Sequence, residues 1–179
     1  TFAIDIRDLE IEGISIGDNL LYFFSEEEIV KESIPSKTYN YLKEPKKFTQ
    51  AEFVFHPKLV SYDTVQVIYK IISGNYIVYA IVGKIFFEDN FEDCISLRDT
   101  IVKDIEIDLD VNSDEPKITL HPADKNKKSK VNQVTFWLNN DDVIIAECYD
   151  WSEEMKYYDN LKINMFSNEA NLWISNYKK

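Results

Sequence analysis

The chain has 179 residues, 45% of them hydrophobic and 14% aromatic, with four glycines and five prolines. That composition supplies one packed domain and excludes a disordered chain. Thirty-two acids against 20 bases give a formal charge of −12, a field that repels phosphate backbones and argues against nucleic acid as a partner.

No apolar run approaches the roughly 20 residues of a membrane span, so no span is expected. In chain order, TFAIDIRDLEIEG (1–13) alternates at its start, placing Phe2, Ile4 and Ile6 on one face of an extended segment that Gly13 ends. In the following stretch Leu20, Leu21, Phe24 and Ile29 trace a helical stripe entered at Gly17-Asp18. Ser25 and Glu28 have capping-box spacing, so two short helical pieces are expected. Residues 31–50, lysine-rich with Pro35 and Pro45, read as a long connection or a poorly ordered loop.

From residue 51 the pattern changes. AEFVFHP is a short strand. DTVQVIYKIISGNYIVYAIVGKIFFED is a hairpin with SGN at its turn, apolar on both faces and so central to a covered sheet. FEDCISLRDTIVKDIEIDL has a different period: Cys94, Leu97, Ile101, Ile105 and Leu109 form the inner stripe of an amphipathic helix, with Arg98 and Lys103 outside. KITLH is a short strand in a polar stretch. NQVTFWLNNDDVIIAECYDW is a second hairpin with Val134, Phe136 and Leu138 on one face. DNLKINMF adds a strand, and Ser167 caps a last helix that lays Leu172 and Trp173 on the body.

The expected fold is α+β. A mainly antiparallel sheet of two hairpin units packs with an N-terminal helical segment, a middle amphipathic helix and a short C-terminal helix. One domain is expected over 1–179, with a hint of two related halves, 1–109 and 110–179.

The strings IRDLEIEGISIGDNLLYFFSEEEI, FEDCISLRDTIV and HPADKNKKS followed by CYDWSEE, in this order, resemble a group of small exported bacterial proteins with no characterised activity. That resemblance implies a signal peptide removed ahead of Thr1 and a periplasmic or secreted location; it implies no catalytic residues. The arrangement of helices and antiparallel sheet is also similar to periplasmic beta-lactamase-inhibitor-like modules, at the level of fold alone.

The chemistry-bearing residues are few. Cys94 and Cys148 show no zinc spacing; they fit one disulfide in an exported protein or two buried thiols in a cytosolic one. A helix packed on a sheet would bring them together, so a Cys94–Cys148 bond is expected. A Cys148 nucleophile would need a base, and His56 and His121 both precede proline. The acid runs SEEE, EDNFED, DIEIDLD and NNDD read as solvated helix starts and turns, so neither metal nor cofactor is expected. KNKKSK (125–130) reads as a solvated loop or, alternatively, a docking patch for an acidic partner. Tyr149, Trp151, Tyr157 and Tyr158, mixed with Asp150, Glu153, Glu154 and Asp159, form an acidic-aromatic surface suited to a protein or glycan partner; Trp151 and one tyrosine are expected inward, the acids outward. The resulting expectation is a non-enzymatic exported domain that binds a macromolecule or itself through this surface and its sheet edges. The alternative is a cell-envelope hydrolase using Cys148 or an acid pair.

Overall fold

A computed structural model describes residues 5–88 and 90–178. Among these residues the fold is α+β, with one seven-stranded antiparallel sheet and three α-helices. The strands are β1 (Thr49–Val54), β2 (Thr64–Ile72), β3 (Asn75–Phe87), β4 (Lys117–Leu120), β5 (Lys130–Trp137), β6 (Val143–Asp150) and β7 (Asp159–Phe166). The helices are α1 (Glu26–Lys31), α2 (Phe91–Leu109) and α3 (Asn168–Ile174). The strand order β1-β2-β3-β7-β6-β5-β4 describes two meanders joined through their last strands. Residues Lys84–Trp137 and Ile144–Ile163 form one compact unit; the rest of the described chain forms another. α2 belongs to the same unit as β4 and β5, while residues 138–143 and 164–178 belong to the unit of the N-terminal segment.

In the unit that holds the N-terminal segment, the expected capping box is present. Ser25 Oγ accepts from Glu28 N–H, and the Glu28 carboxylate accepts from Ser25 N–H. It separates a 3-10 turn at Leu20–Tyr22 from α1, giving the two short pieces. Leu20, Phe24 and Ile29 are buried, and Phe24 stacks on Phe53 of β1 with ring centroids 3.7 Å apart. The extended segment expected near the start falls largely on residues 1–4, outside the described residues; Ile6 instead opens a 3-10 turn capped by Asp5. At the β2–β3 turn Ser73 and Gly74 both take positive φ, 51° and 81°, the handedness that matches strand twist in two-residue hairpins. Gly83 is required for a different reason: a Cβ there would stand 2.5 Å from the Tyr62 ring.

Helix α3 corrects one expectation. Ser167 caps it, and Trp173 is buried against Phe48, donating from Nε1 to Glu44 O at 2.7 Å. Leu172 is 64% exposed. Consecutive helical residues point about 100° apart, so a single-sided contact buries one of the pair, and the indole takes it.

In the other unit α2 covers β5 and β6. Cys94 and Cys148, both fully buried, are joined by a disulfide with Cα atoms 6.0 Å apart. Arg98, expected outside, is buried at 3% exposure. It lies one turn after Cys94 on the same helix face, and β5 meets it with Asn132. Arg98 donates to Asn132 Oδ1 at 2.6 Å and to Asp99 Oδ1 at 2.6 and 2.9 Å. The buried line on α2 is therefore Cys94, Arg98 and Leu109, with Leu97, Ile101 and Ile105 half-buried at its margin.

The bond separates cysteines 54 residues apart. In the chain-entropy account, closing such a loop stabilises by about 4 kcal/mol. A Cys94→Ser/Cys148→Ser variant should lose stability of that order in urea unfolding, and native protein denatured without reductant should resist alkylation. Labelling at both cysteines would contradict the bond.

Candidate ligand-binding groove

Strand alternation divides the second unit's residues between two faces. On β6, Ile144, Ala146 and Cys148 belong to the face that α2 covers, whereas Glu147 and Tyr149 belong to the other. Asn160 and Lys162 of β7 and Lys84 and Phe86 of β3 join that other face, where they line a groove of about 560 Å³. The remaining walls come from the loop between β6 and β7 and from the segment after β4.

The β6–β7 loop is closed by Trp151 N–H, which donates to Asp159 Oδ1 at 2.8 Å. A 3-10 turn at Glu153–Met155 and a left-handed Lys156, φ 56°, turn the chain back toward β7. Trp151 and Tyr157 meet edge to face at 5.0 Å, and Tyr149 stacks beside Trp151 at 5.6 Å. Phe86 and Tyr158 form a second corner at 6.3 Å. Tyr149 is buried, Trp151 half-buried, and Tyr157 and Tyr158 are 61% and 63% exposed. Burial and the Glu147 carboxylate, which accepts from the Tyr149 hydroxyl at 3.1 Å, hold that phenol far above its ordinary pKa.

His121 faces the same rings, 4.4 Å from Trp151 and 5.7 Å from Tyr149. Its position follows from the proline after it. In His121-Pro122-Ala123-Asp124 the N–H of Asp124 donates to His121 O, a β-turn with Pro second, and His121 Nδ1 accepts from Ala123 N–H. The same device follows β1, where Leu59 N–H donates to His56 O and Lys58 N–H to His56 Nδ1. Both histidines, singled out as possible bases for Cys148, thus serve turns, and the Cys148 sulfur is spent in the disulfide.

The turn delivers Asp124 to a buried position, 3% exposed. Its carboxylate accepts from the N–H groups of Asn126, Lys128 and Ser129 and from the hydroxyls of Ser129 and Ser152, at 2.7–3.1 Å. These bonds hold its pKa well below the usual carboxylate range. The lysine-rich loop is accordingly wrapped around an acid and fastened to the segment that carries Trp151. Lys128 and Asn126 complete the fastening by reaching the Glu154 carboxylate, each at 2.5 Å. Lys128 of this loop is thus paired with an acid of the same chain.

The aromatic residues singled out in the sequence do come together, but the acids interspersed with them do not line the groove. Glu154 pairs with Lys128, and Asp159 caps the loop. The lining instead contains Lys84, Lys156 and Lys162 and no Asp or Glu. Lys162 Nζ stands 4.0 Å from the Tyr149 ring centroid and Lys84 Nζ 5.7 Å from that of Phe86, distances at which ring faces attract cations. Lys84, Phe86, Asn160 and Lys162 escaped the sequence reading; strand parity could have grouped them had the pairing of β3 with β7 been known. Among the described residues no group of three or more His, Cys, Asp or Glu side chains could hold a metal ion. Comparison with family models, curated proteins and solved structures finds no match.

Burial first, and then Lys162, lower the pKa of His121 from 6.5, with Asp124 opposing. The unfolded chain therefore takes up a proton before the folded one does as pH falls below 6.5, and this site's contribution to stability is lost through that window. The His121 NMR titration should have its midpoint below 6.5, and Lys162→Met should raise it; an unmoved midpoint would separate the two groups. Asp124 has the same sign at lower pH, its contribution being present above the ordinary carboxylate pKa and lost as the folded carboxyl protonates. Asp124→Asn should lower the thermal midpoint at neutral pH and narrow its gap from the parent chain in acid. Equal midpoints at neutral pH would contradict the organising role.

Proposed function

We propose that this protein is a non-enzymatic exported binding domain that takes its ligand in the groove on the open sheet face of the second unit. The observation that carries the reading is the lining: Phe86, Trp151, Tyr157 and Tyr158 gather around one groove, with Tyr157 and Tyr158 more than half exposed. Partly exposed rings beside committed polar groups are the usual make-up of a recognition surface. An extracytoplasmic location is supported by the disulfide, since such bonds persist in oxidising compartments. The resemblance to small exported bacterial proteins implies the same location. Hydrolysis through Cys148 has no support, because a bonded sulfur is not a thiolate nucleophile.

The sheet edges offer less surface. The segment at 32–34 lies along β1, with Ile34 N–H donating to Gln50 O and Glu52 N–H to Glu32 O. At the other end β4 is four residues long.

The reading is tested by NMR mapping with a mixed set of oligosaccharides, short peptides and amphiphiles. Shift changes should concentrate on Phe86, Trp151, Tyr157 and Tyr158. Tyr157→Ala and Tyr158→Ala, both at exposed positions, should abolish them without moving the melting temperature. Ligands that map elsewhere, or that ignore both substitutions, would overturn it.

A further inference from the structure

The two edges of the sheet differ. The segment at 32–34 lies along β1, bridging Ser33 to Ala51, whereas among the described residues nothing pairs with the outer side of β4. The register says which β4 groups face that side. Ile118 stands opposite Asn132 and Leu120 opposite Lys130. His121, next in line, donates its N–H to Ser129 O at 2.9 Å. Opposed residues of an antiparallel pair alternate between bonded and non-bonded. Lys117 and Thr119 share the bonded parity of His121, so Ile118 and Leu120 turn their N–H and C=O groups outward. Pro116 and Pro122 have the same outward parity and no N–H to offer. The open ladder is thereby confined to Ile118 and Leu120.

A short edge bounded by prolines is a familiar guard against pairing, usually completed by charged side chains. Here the side chains are apolar instead: Ile118 is 65% exposed and Leu120 51%. Ahead of them stands an exposed acid, Glu115, and behind them the loop that carries Lys125 and Lys127, also exposed. Among the described residues neither lysine makes an ion pair, unlike Lys128 of the same loop.

We infer that β4 is a self-association edge, and that its partner is β4 of a second copy of this chain, added antiparallel about a two-fold axis. The inference is independent of the groove reading. One register uses every outward group: Ile118 of each copy exchanges its N–H and C=O with Leu120 of the other, and Thr119 meets Thr119. Lys117 then stands opposite His121 at either end, and the prolines fall opposite one another and stop the ladder. Sliding the pair by two residues sets Pro116 or Pro122 against an outward residue and forfeits donors. In the favoured register the exposed Ile118 and Leu120 side chains of both copies gather into one cluster. Antiparallel pairing also carries Glu115 of each copy to the end from which the other's lysine loop extends, which is the charge complementarity that selects this partner. Because the contact is isologous it closes at two copies. Its small area makes the dimer weak.

The test is sedimentation equilibrium of the intact disulfide-bonded chain, with amide hydrogen exchange followed by NMR. The chain should pass from monomer to dimer with concentration, and the Ile118 and Leu120 amides should gain protection in step. Leu120→Lys, at an exposed side chain, should weaken the dimer at least about tenfold and leave the melting temperature unchanged. Ile118→Pro removes an N–H that β5 does not use and should abolish the dimer. Glu115→Lys alone should weaken it, and Lys125→Glu added to Glu115→Lys should restore it. A chain that stays monomeric at its highest soluble concentration would overturn the inference. So would a dimer indifferent to both Leu120→Lys and Ile118→Pro, which would place the interface elsewhere. Failure of the charge exchange to restore the dimer would overturn the role of Glu115. Protection of the two amides in a monomeric chain only on adding an unrelated extended peptide would overturn the second copy as partner.

Discussion

The feature on which the second unit's arrangement depends is the fastening of α2 to the sheet by Cys94–Cys148 and Arg98. The two contacts sit one turn apart on the helix and reach two adjacent strands, β6 and β5. Together they commit one face of those strands to the core. Alternation then leaves no choice for their neighbours in sequence. If Cys148 faces the helix, Glu147 and Tyr149 must face away from it. The groove is in this sense the complement of the disulfide: the same parity that buries one sulfur turns the neighbouring ring to the groove's side of the sheet.

Parity alone would give a flat polar-aromatic surface. The walls come from two loops that hold each other. Asp124 draws the lysine-rich loop around itself, Ser152 adds a hydroxyl to the same carboxylate, and Glu154 collects Lys128 and Asn126. Ordering such loops costs conformational entropy, which a ligand would otherwise have to offset on binding. Here the cost is met by internal bonds to a buried acid. The rings of Trp151 and Tyr157 are thus held in place by bonds within the chain itself.

How much of this the sequence disclosed varied with the range of the interaction. Local signals read directly: the Ser25–Glu28 capping box, the Ser73-Gly74 turn and the Ser167 cap each depend on residues at most three apart. The disulfide was also legible, because helical period and strand position together oriented both cysteines. Arg98 was misplaced because a guanidinium is assigned to solvent by default; its burial needs Asn132, 34 residues away, which no periodicity announces. Leu172 was misplaced for the converse reason, since a seven-residue helix has room for one large inward side chain and Trp173 has it. Tyr149, Trp151, Tyr157 and Tyr158 were grouped by proximity in sequence, and the structure keeps them together. Of the acids between them, Glu153 and Glu154 are exposed, and Glu154 and Asp159 are occupied by Lys128 and by the Trp151 amide; the lysines of the groove lining come from β3, β7 and the loop tip.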